Sequence, residues 1–272
     1  MSAIDKPLAG KRIVLTRAPE QAPALFRALN DAGASVILFP CIEFVPPEDY
    51  GPLDDALSHL NHFDWIAFTS QNAVRFFRQR QRELDAMRSA PVTAHAKIAA
   101  LGVATAEAAT KEGLPAEFVA SGARSGADFV EAFAPLARGQ KLLLPQSDQA
   151  GERIAATLGA AGVVVTSVVA YRTCVPQSMD NDALARIRSE GADLIFFGSP
   201  SAFRNFVETV GKEIVTQLAN NSAFGAIGST TAAAIREAGV AVQFESPEPS
   251  ATAVVESMER YFAGSNPSKV RQ

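Results

Sequence analysis

Short unbroken apolar runs alternate along the chain with longer stretches in which apolar residues recur at helical spacing. Residues 11–16 (KRIVLT) hold the first run, which is typical of a strand buried in a parallel sheet. A helix is predicted over 19–31, where apolar residues lie three and four apart, and Gly33 ends it. The run over 35–39 (SVILF) is the next strand. These elements predict a β-α-β unit with a right-handed crossover.

The same order of elements occurs twice. Residues 139–173 repeat 10–44, and residues 193–263 repeat 63–137, a segment whose first strand runs into a helix predicted over 72–82. A constant offset between distant landmarks indicates a duplicated structural unit. The paired landmarks are Gly33 and Gly162, Asp64 and Asp193, and Ser70 and Ser199, each 129 residues apart, and Gly102 and Gly228, and Thr105 and Thr231, each 126 residues apart.

Two extended, proline-marked segments, at about 41–47 and 170–176, occupy equivalent places in the two copies. The connection between the segments 63–137 and 139–173 is too short to leave a domain. We therefore predict an α/β fold of two similar parallel-sheet domains, joined by a two-stranded linker, with a ligand cleft between them. The predicted domains are 1–44 plus 176–272, which is discontinuous, and 47–170, which is continuous.

Small hydroxyl side chains recur in the turns that follow the predicted strands. In parallel sheets these turns meet at the carboxyl edge, where free backbone N–H groups and positive helix ends suit carboxylates or phosphates. Serine and threonine at helix starts also serve as ordinary N-caps, so both interpretations stay open. No Walker loop or GxGxxG fingerprint supports nucleotide binding. The turns lie at 69–72, 102–105, 125–128, 198–201, 228–231 and 250–252.

The composition narrows the functional classes. The 272 residues are 47% hydrophobic and 20% charged, as in a globular protein. A net charge of −4 argues against a broad nucleic-acid surface. We expect no membrane span, because no run of 18 apolar residues exists, and no signal peptide, because residues 1–11 lack an apolar core. Two cysteines, Cys41 and Cys174, are too few for a disulfide framework and fit a reducing cytoplasm.

Most other candidate chemistry has a plainer explanation. His59, His62 and His95 lack the spacing of a metal site, and no G-x-S-x-G elbow indicates a hydrolase. The basic run over 75–82 is interpreted as a solvated helix face. Tyr171 lies on a predicted linker strand, where a phenol can donate a proton or a hydrogen bond. The alternative, that its ring only packs against a domain, stays open.

Six short motifs occur in a fixed order between Lys11 and Phe262. They are VLTR at 14–17, FTSQNAV at 68–74, GVATA at 102–106, AYRT at 170–173, FGSPS at 197–201 and AIGSTTA at 226–232. Each is weak alone, but their order and spacing together resemble the uroporphyrinogen-III synthase family. The resemblance implies two α/β domains joined by a two-stranded linker, with the active site in the cleft between them.

The resemblance also implies the chemistry. The family converts linear hydroxymethylbilane to uroporphyrinogen III in tetrapyrrole (heme) biosynthesis, with loss of water and inversion of ring D. It needs no cofactor, neither metal nor organic. The implied partners are the substrate hydroxymethylbilane and, through a transient contact, the upstream hydroxymethylbilane synthase. Nucleic acid and membrane are not implied, and we expect a monomer in the cytoplasm.

Site residues follow from the resemblance position by position. Tyr171 matches the family tyrosine proposed to assist loss of the hydroxyl. Arg153 is a weaker match, because residues 149–152 depart from a more basic pattern, and Gly198 replaces a threonine common at that turn. The implied substrate-binding positions are Arg17, Thr69, Ser70, Thr105, Ser125, Gly126, Arg153, Ser199, Thr230 and Thr231.

Two alternatives use the same sequence features differently. A non-catalytic two-domain tetrapyrrole-binding or sensor module on the same scaffold is the main one, because a fold does not fix a function. The presence of both domains and of Tyr171 favours the enzyme. A tetrapyrrole methyltransferase is disfavoured because no glycine-rich cofactor loop is present.

Overall fold

Unbroken apolar runs become the strands of two sheets in the computed structural model, which describes residues 6–17, 22–87, 95–120, 122, 125–176 and 180–264. The predicted α/β class with parallel sheets is confirmed. In chain order the elements are β1 (Arg12–Leu15), α1 (Pro23–Asp31), β2 (Ser35–Leu38), β3 (Glu43–Val45), α2 (Gly51–Ser58), a 3-10 turn (Leu60–His62), β4 (Trp65–Phe68), α3 (Gln71–Met87), β5 (Lys97–Ala100), α4 (Val103–Lys111), β6 (Phe118–Val119), α5 (Gly126–Ala137), β7 (Lys141–Ser147), α6 (Arg153–Ala160), β8 (Val164–Cys174), α7 (Asn181–Glu190), β9 (Leu194–Phe197), α8 (Pro200–Val210), α9 (Lys212–Asn221), β10 (Ala223–Ala226), α10 (Ser229–Glu237), β11 (Phe244–Glu245) and α11 (Ala251–Gly264).

The chain separates into two compact units. Unit 1 contains the chain up to Glu43 and again from Val175, and unit 2 runs from Phe44 to Cys174. The five-stranded sheet of unit 1 has the order β11-β10-β9-β1-β2. The six-stranded sheet of unit 2 has the order β3-β8-β7-β4-β5-β6. Strands β1 and β2 of the sequence segment 10–44 therefore share one sheet with the strands of 193–263, and the strands of 63–137 and 139–173 share the other.

The burial of the central strands explains their apolar runs. All four residues of β9 and all four of β4 are buried, because helices cover both faces of a parallel sheet. One face of the unit 1 sheet packs against α1 and α11, where Leu29 and Met258 are fully buried. Unit 2 has a separate core on each face of its sheet, and Phe77 and Phe133 are fully buried in these two cores.

The duplication extends to the backbone register. Ile13 pairs with Leu194 in unit 1, and the positions 129 residues away, Leu142 and Trp65, pair in unit 2. Gly33 and Gly162 end equivalent helices with φ values of 90° and 91°, which glycine adopts without the penalty of a side chain.

An aspartate bond is duplicated as well. Asp193 Oδ2 accepts the backbone N–H of Arg12 at 2.8 Å, and Asp64 Oδ2 accepts that of Lys141 at 2.8 Å. Equivalent carboxylates therefore hold the start of equivalent strands, β1 and β7, in the two sheets.

Local patterns set some helix ends wrongly. Helix α3 runs from Gln71 to Met87 and is longer than the predicted 72–82, and α1 begins at Pro23, while residues 18–21 lie outside the described part. The basic run on α3 is not simply a solvated face, because Arg80 donates to both carboxylate oxygens of Asp54 at 2.7 Å. No helix in the described ranges is long and apolar enough to cross a membrane.

Candidate functional site

Tyr171 and Ser70 meet at the carboxyl edge of the unit 2 sheet. Tyr171 lies near the end of β8, and Ser70 lies in the turn between β4 and α3. The phenol oxygen of Tyr171 is 3.1 Å from Ser70 Oγ, a hydrogen bond in which either atom can donate. The structure thus joins two residues that the sequence places 101 positions apart.

The helix start determines how this hydrogen bond is used. Ser70 Oγ accepts the backbone N–H of Ala73 at 3.0 Å, which makes Ser70 an N-cap of α3. This N–H occupies one lone pair, and Ser70 keeps its proton and a second lone pair, so it can donate to the phenol oxygen of Tyr171 or accept from it. When Ser70 donates, the phenol proton is directed elsewhere. The positive end of α3 also favours negative charge at this point.

The ring of Tyr171 is held between two phenylalanines. Phe76 stacks on it with ring centroids 5.5 Å apart and an interplanar angle of 13°, and Phe44 meets it edge-on at 5.7 Å. Only 6% of the Tyr171 surface is exposed. The ring therefore packs into the core and the hydroxyl has a polar partner, while the role of the phenol as a proton donor stays a prediction.

Polar contacts fix the backbone on which Tyr171 stands. Asp148 donates its backbone N–H to the carbonyl oxygen of Tyr171 at 3.1 Å, and its carboxylate accepts the N–H of Thr173 at 3.0 Å. Ser147 Oγ lies 3.1 Å from Thr173 Oγ1. These bonds tie the end of β8 to the end of β7, so the phenol has little freedom to move.

The remaining unit 2 positions are spread along the same edge. Thr105 is buried in the first turn of α4. Ser125 and Asp128 form a capping box at the start of α5, where Gly126 lies against the side chain of Ile154. Within the described residues, no hydrogen bond joins Ser125 to Tyr171. The remaining two candidates are Thr69, which is half-buried, and Arg153, which is exposed at the start of α6.

In unit 1, Arg17 and Ser199 lie at the carboxyl edge after β1 and β9. Ser199 caps α8 by accepting the N–H of Ala202 at 3.1 Å, and its Oγ is 3.1 Å from that of Ser201. The Arg17 side chain passes directly over Gly198.

Arg17 is a desolvated cation. Burial lowers the pKa of its guanidinium from the ordinary value, although an arginine stays charged at neutral pH. Within the described ranges, no acidic side chain forms an ion pair with Arg17. A partly buried cation with no counter-charge among the described residues is costly there, and an anionic ligand would offset that cost.

An open pocket of about 490 Å³ lies beside the start of α10 in the same unit. Thr230 is exposed in it, and Thr231 is buried behind it. Glu245 at its rim is neutralised by Arg236 at 2.6 Å. The pocket lining consists of residues 227–231, 245–247 and 249.

A second pocket of about 480 Å³ lies along α4 in unit 2, but it contains none of the predicted residues. No group of three or more potential metal ligands occurs in the part of the chain that the structure describes.

Sequence reasoning missed three features of these sites. The rings of Phe44 and Phe76 were not assigned to Tyr171, although the apolar spacing on α3 marks Phe76 as core-facing. No sequence pattern indicated that Asp148 would hydrogen-bond the backbone of Tyr171 and Thr173. Gly198 was noted only for the hydroxyl that it lacks, not for the contact that it allows.

The chain is similar to proteins of one known family. A family model described as uroporphyrinogen-III synthase HemD matches residues 3–256. The chain is 34% identical over 216 residues to a uroporphyrinogen-III synthase of Synechococcus elongatus, covering 77% of this chain and 78% of that protein.

Two solved structures share the fold. The uroporphyrinogen-III synthetase of Helicobacter pylori has a TM-score of 0.61 at 18% identity, covering 90% of this chain and 97% of that one. A mutant uroporphyrinogen III synthase of Thermus thermophilus has a TM-score of 0.58 at 18% identity, covering 94% of this chain and 100% of that one. At these identities the two structures support the α/β fold alone.

Proposed function

The chain belongs to the uroporphyrinogen-III synthase family of cyclising lyases in heme biosynthesis, and from this we propose how its residues carry out the reaction. The substrate is linear hydroxymethylbilane. Its terminal hydroxyl leaves as water, and the ring closes with ring D inverted. The family assignment does not favour the alternative of a non-catalytic sensor module.

Tyr171 assists the departure of the hydroxyl in this proposal. The leaving oxygen needs a proton or a strong hydrogen bond, and a phenol supplies either one. The observation that carries the proposal is the 3.1 Å contact between Tyr171 and Ser70. With Ser70 donating to the phenol oxygen, the phenol proton points toward the substrate. The positive end of α3 stabilises negative charge that develops on the phenol.

The next step is a problem of direction. Loss of the hydroxyl gives a reactive azafulvene, and simple closure would produce the type I isomer. Attack must instead occur at the substituted carbon of the last ring, through a spiro intermediate. Holding reacting groups in place contributes up to about 7–11 kcal/mol in general, so positioning can supply most of the effect.

The carboxylates of the substrate provide the means of holding it. Hydroxymethylbilane carries eight of them, and helix N-termini, hydroxyls and a guanidinium are suitable donors. In unit 1 we assign this role to Arg17, Ser199, Thr230 and Thr231. In unit 2 we assign it to Thr69, Thr105, Ser125, Gly126 and Arg153, and to the backbone N–H groups of the turn at Ser70, because the hydroxyl proton of Ser70 is already directed to Tyr171 in this proposal.

We propose further that the two compact units are the domains, and that 41–47 and 170–176 are their linkers. In this proposal one substrate molecule contacts residues of both units. Candidate residues at the carboxyl edges of both sheets support it. That the enzyme acts as a cytoplasmic monomer, without a cofactor and with a transient contact to hydroxymethylbilane synthase, stays a prediction.

An isomer assay tests the function. Hydroxymethylbilane is generated in situ by hydroxymethylbilane synthase, and the products are oxidised to porphyrins and separated by chromatography. We expect mostly the type III isomer with the full-length protein and type I with heat-denatured protein. Type I product alone from the folded protein would contradict the proposal.

A further inference from the structure

Gly198 and the side chain of Arg17 occupy the same space. A Cβ at position 198 would lie 2.9 Å from both Cδ and Nε of Arg17 and 3.3 Å from its Cζ. Real Cβ atoms essentially never approach other atoms within 3.0 Å. Any side chain at position 198 therefore requires Arg17 to move.

The backbone does not explain the glycine. Ten glycines of the chain have positive φ values, and Gly198 is not one of them. Its φ lies outside the left-handed region that favours glycine, so what a side chain at position 198 would meet is Arg17 and not a strained turn. Gly228, which occupies a similar turn after β10, has open space around its absent Cβ.

The duplicated unit shows the alternative arrangement. At the 129-residue offset, Gly198 corresponds to Thr69 and Arg17 corresponds to Gln146. The copy with a side chain in the turn, at Thr69, thus has a neutral residue, Gln146, near the end of β7, and the copy with the charge has glycine. Both positions therefore differ between the two units, although the central strands of their sheets share one register.

The surroundings of Arg17 suit a carboxylate. The guanidinium lacks an acidic partner within the described ranges, and the start of α8 with its two serine hydroxyls lies in the next turn of the edge. A guanidinium presents parallel N–H donors to both oxygens of a carboxylate. Its orientation over the sheet edge therefore determines whether both donors reach the ligand.

We propose that Gly198 is a positioning residue, whose lack of a side chain holds the Arg17 guanidinium at the sheet edge as an anchor for one carboxylate of the substrate. The inference rests on the proposed function and deepens it. It assigns charged anchoring to unit 1, at a turn where unit 2 is neutral. Gly198 does not touch the substrate and acts only through Arg17.

Steady-state kinetics of Gly198→Ala test this. We expect KM for hydroxymethylbilane to rise about tenfold with kcat within about twofold, since charge-assisted contacts lie in this range. Gly198→Thr, which copies the turn of unit 2, should raise KM further. In an Arg17→Ala background, Gly198→Ala should change KM by less than about twofold, because the side chain that it displaces is already gone.

A matched control is Gly159→Ala in α6, where the added Cβ meets no atom within 4 Å and KM should not change. If Gly198→Ala alone does not fold, recovery of folding by adding Arg17→Ala supports the contact, and no recovery overturns it. An unchanged KM, or additive effects in the double variant, also overturns the inference while the wild type still makes the type III isomer. Type I product from the wild type would remove the proposed function, and the inference with it.

Discussion

The two sheets share one register but carry different chemistry at their carboxyl edges. In unit 2 the capping serine, Ser70, is bonded to a phenol, whereas in unit 1 its counterpart Ser199 is bonded to Ser201. In unit 1 a guanidinium lies over a glycine, whereas unit 2 has Gln146 and Thr69 at those positions. The framework is duplicated but the polar groups that it positions differ, and our proposal assigns acid assistance to the unit 2 edge and anion binding to the unit 1 edge.

A second difference lies in the packing at the sheet border. Gly225 pairs with Phe244 in unit 1, and the equivalent Ala99 pairs with Phe118 in unit 2. In unit 1 the ring of Phe244 fills the space that a methyl group would occupy, at 2.3 Å from the position of an added Cβ. In unit 2 the ring of Phe118 instead packs toward Phe133, with centroids 5.3 Å apart. The two equivalent rings thus pack differently, and the ring opposite glycine occupies the space that a Cβ would fill.

The largest expected effect separates the two edges by function. Tyr171→Phe keeps the ring between Phe44 and Phe76 but removes the hydroxyl, so kcat should fall by about one to three decades. Tyr261→Phe in α11 of unit 1 is the control, and its kcat should stay at the wild-type value. Turnover by quantitative isomer analysis measures both variants. An unchanged rate for Tyr171→Phe would remove this residue from the mechanism.

The packing difference predicts an intermediate effect on stability. Gly225→Ala forces the ring of Phe244 to move and should lower the free energy of unfolding by about 1–3 kcal/mol. Ala99→Gly in unit 2 should cost less, about 0.5–1 kcal/mol, because it only loosens the strand. Urea denaturation of both variants measures the pair. Equal losses of unfolding free energy in the two variants would contradict the proposed difference in packing between Phe244 and Phe118.

The smallest effect compares the two capping serines. Ser70→Ala and Ser199→Ala should each cost about 0.5–2 kcal/mol of stability, since each loses an N-cap. Only Ser70→Ala should also lower kcat, by about tenfold, because it removes a hydrogen bond to the phenol. Ser199→Ala should instead raise KM. A fall in kcat of the same size in both variants would contradict the assignment of distinct roles to the two edges.

Sequence patterns predicted the framework well because its causes are local or repeated. The buried strand β9 is an unbroken apolar run, and constant offsets predicted a duplicated unit, whose two copies also share their strand register. The contact of Arg80 in α3 with Asp54 in α2 was missed because helical spacing does not encode a pair between helices.

The site was predicted only in part for the same reason. The resemblance supplied Tyr171 and Ser70 as candidates, but their contact joins elements 101 residues apart. Phe44 enclosing the phenol ring is likewise a tertiary contact. The role of Gly198 was invisible because it depends on the volume of a side chain elsewhere in the sheet.

The discontinuity of unit 1 has a consequence for biosynthesis. Strand β1 receives its aspartate bond from a residue 181 positions later, so its central neighbour β9 leaves the ribosome only after all of unit 2. Unit 2 is continuous and can complete its sheet before β9 is synthesised. Until then, the edge of β1 that pairs with β9 has no partner strand. Long-range pairing of this kind slows folding and exposes apolar strands to association. In the order of synthesis, the unit 2 sheet can therefore close before β1 and β2 have their partner strand, so apolar strands of unit 1 are exposed for longer than those of unit 2.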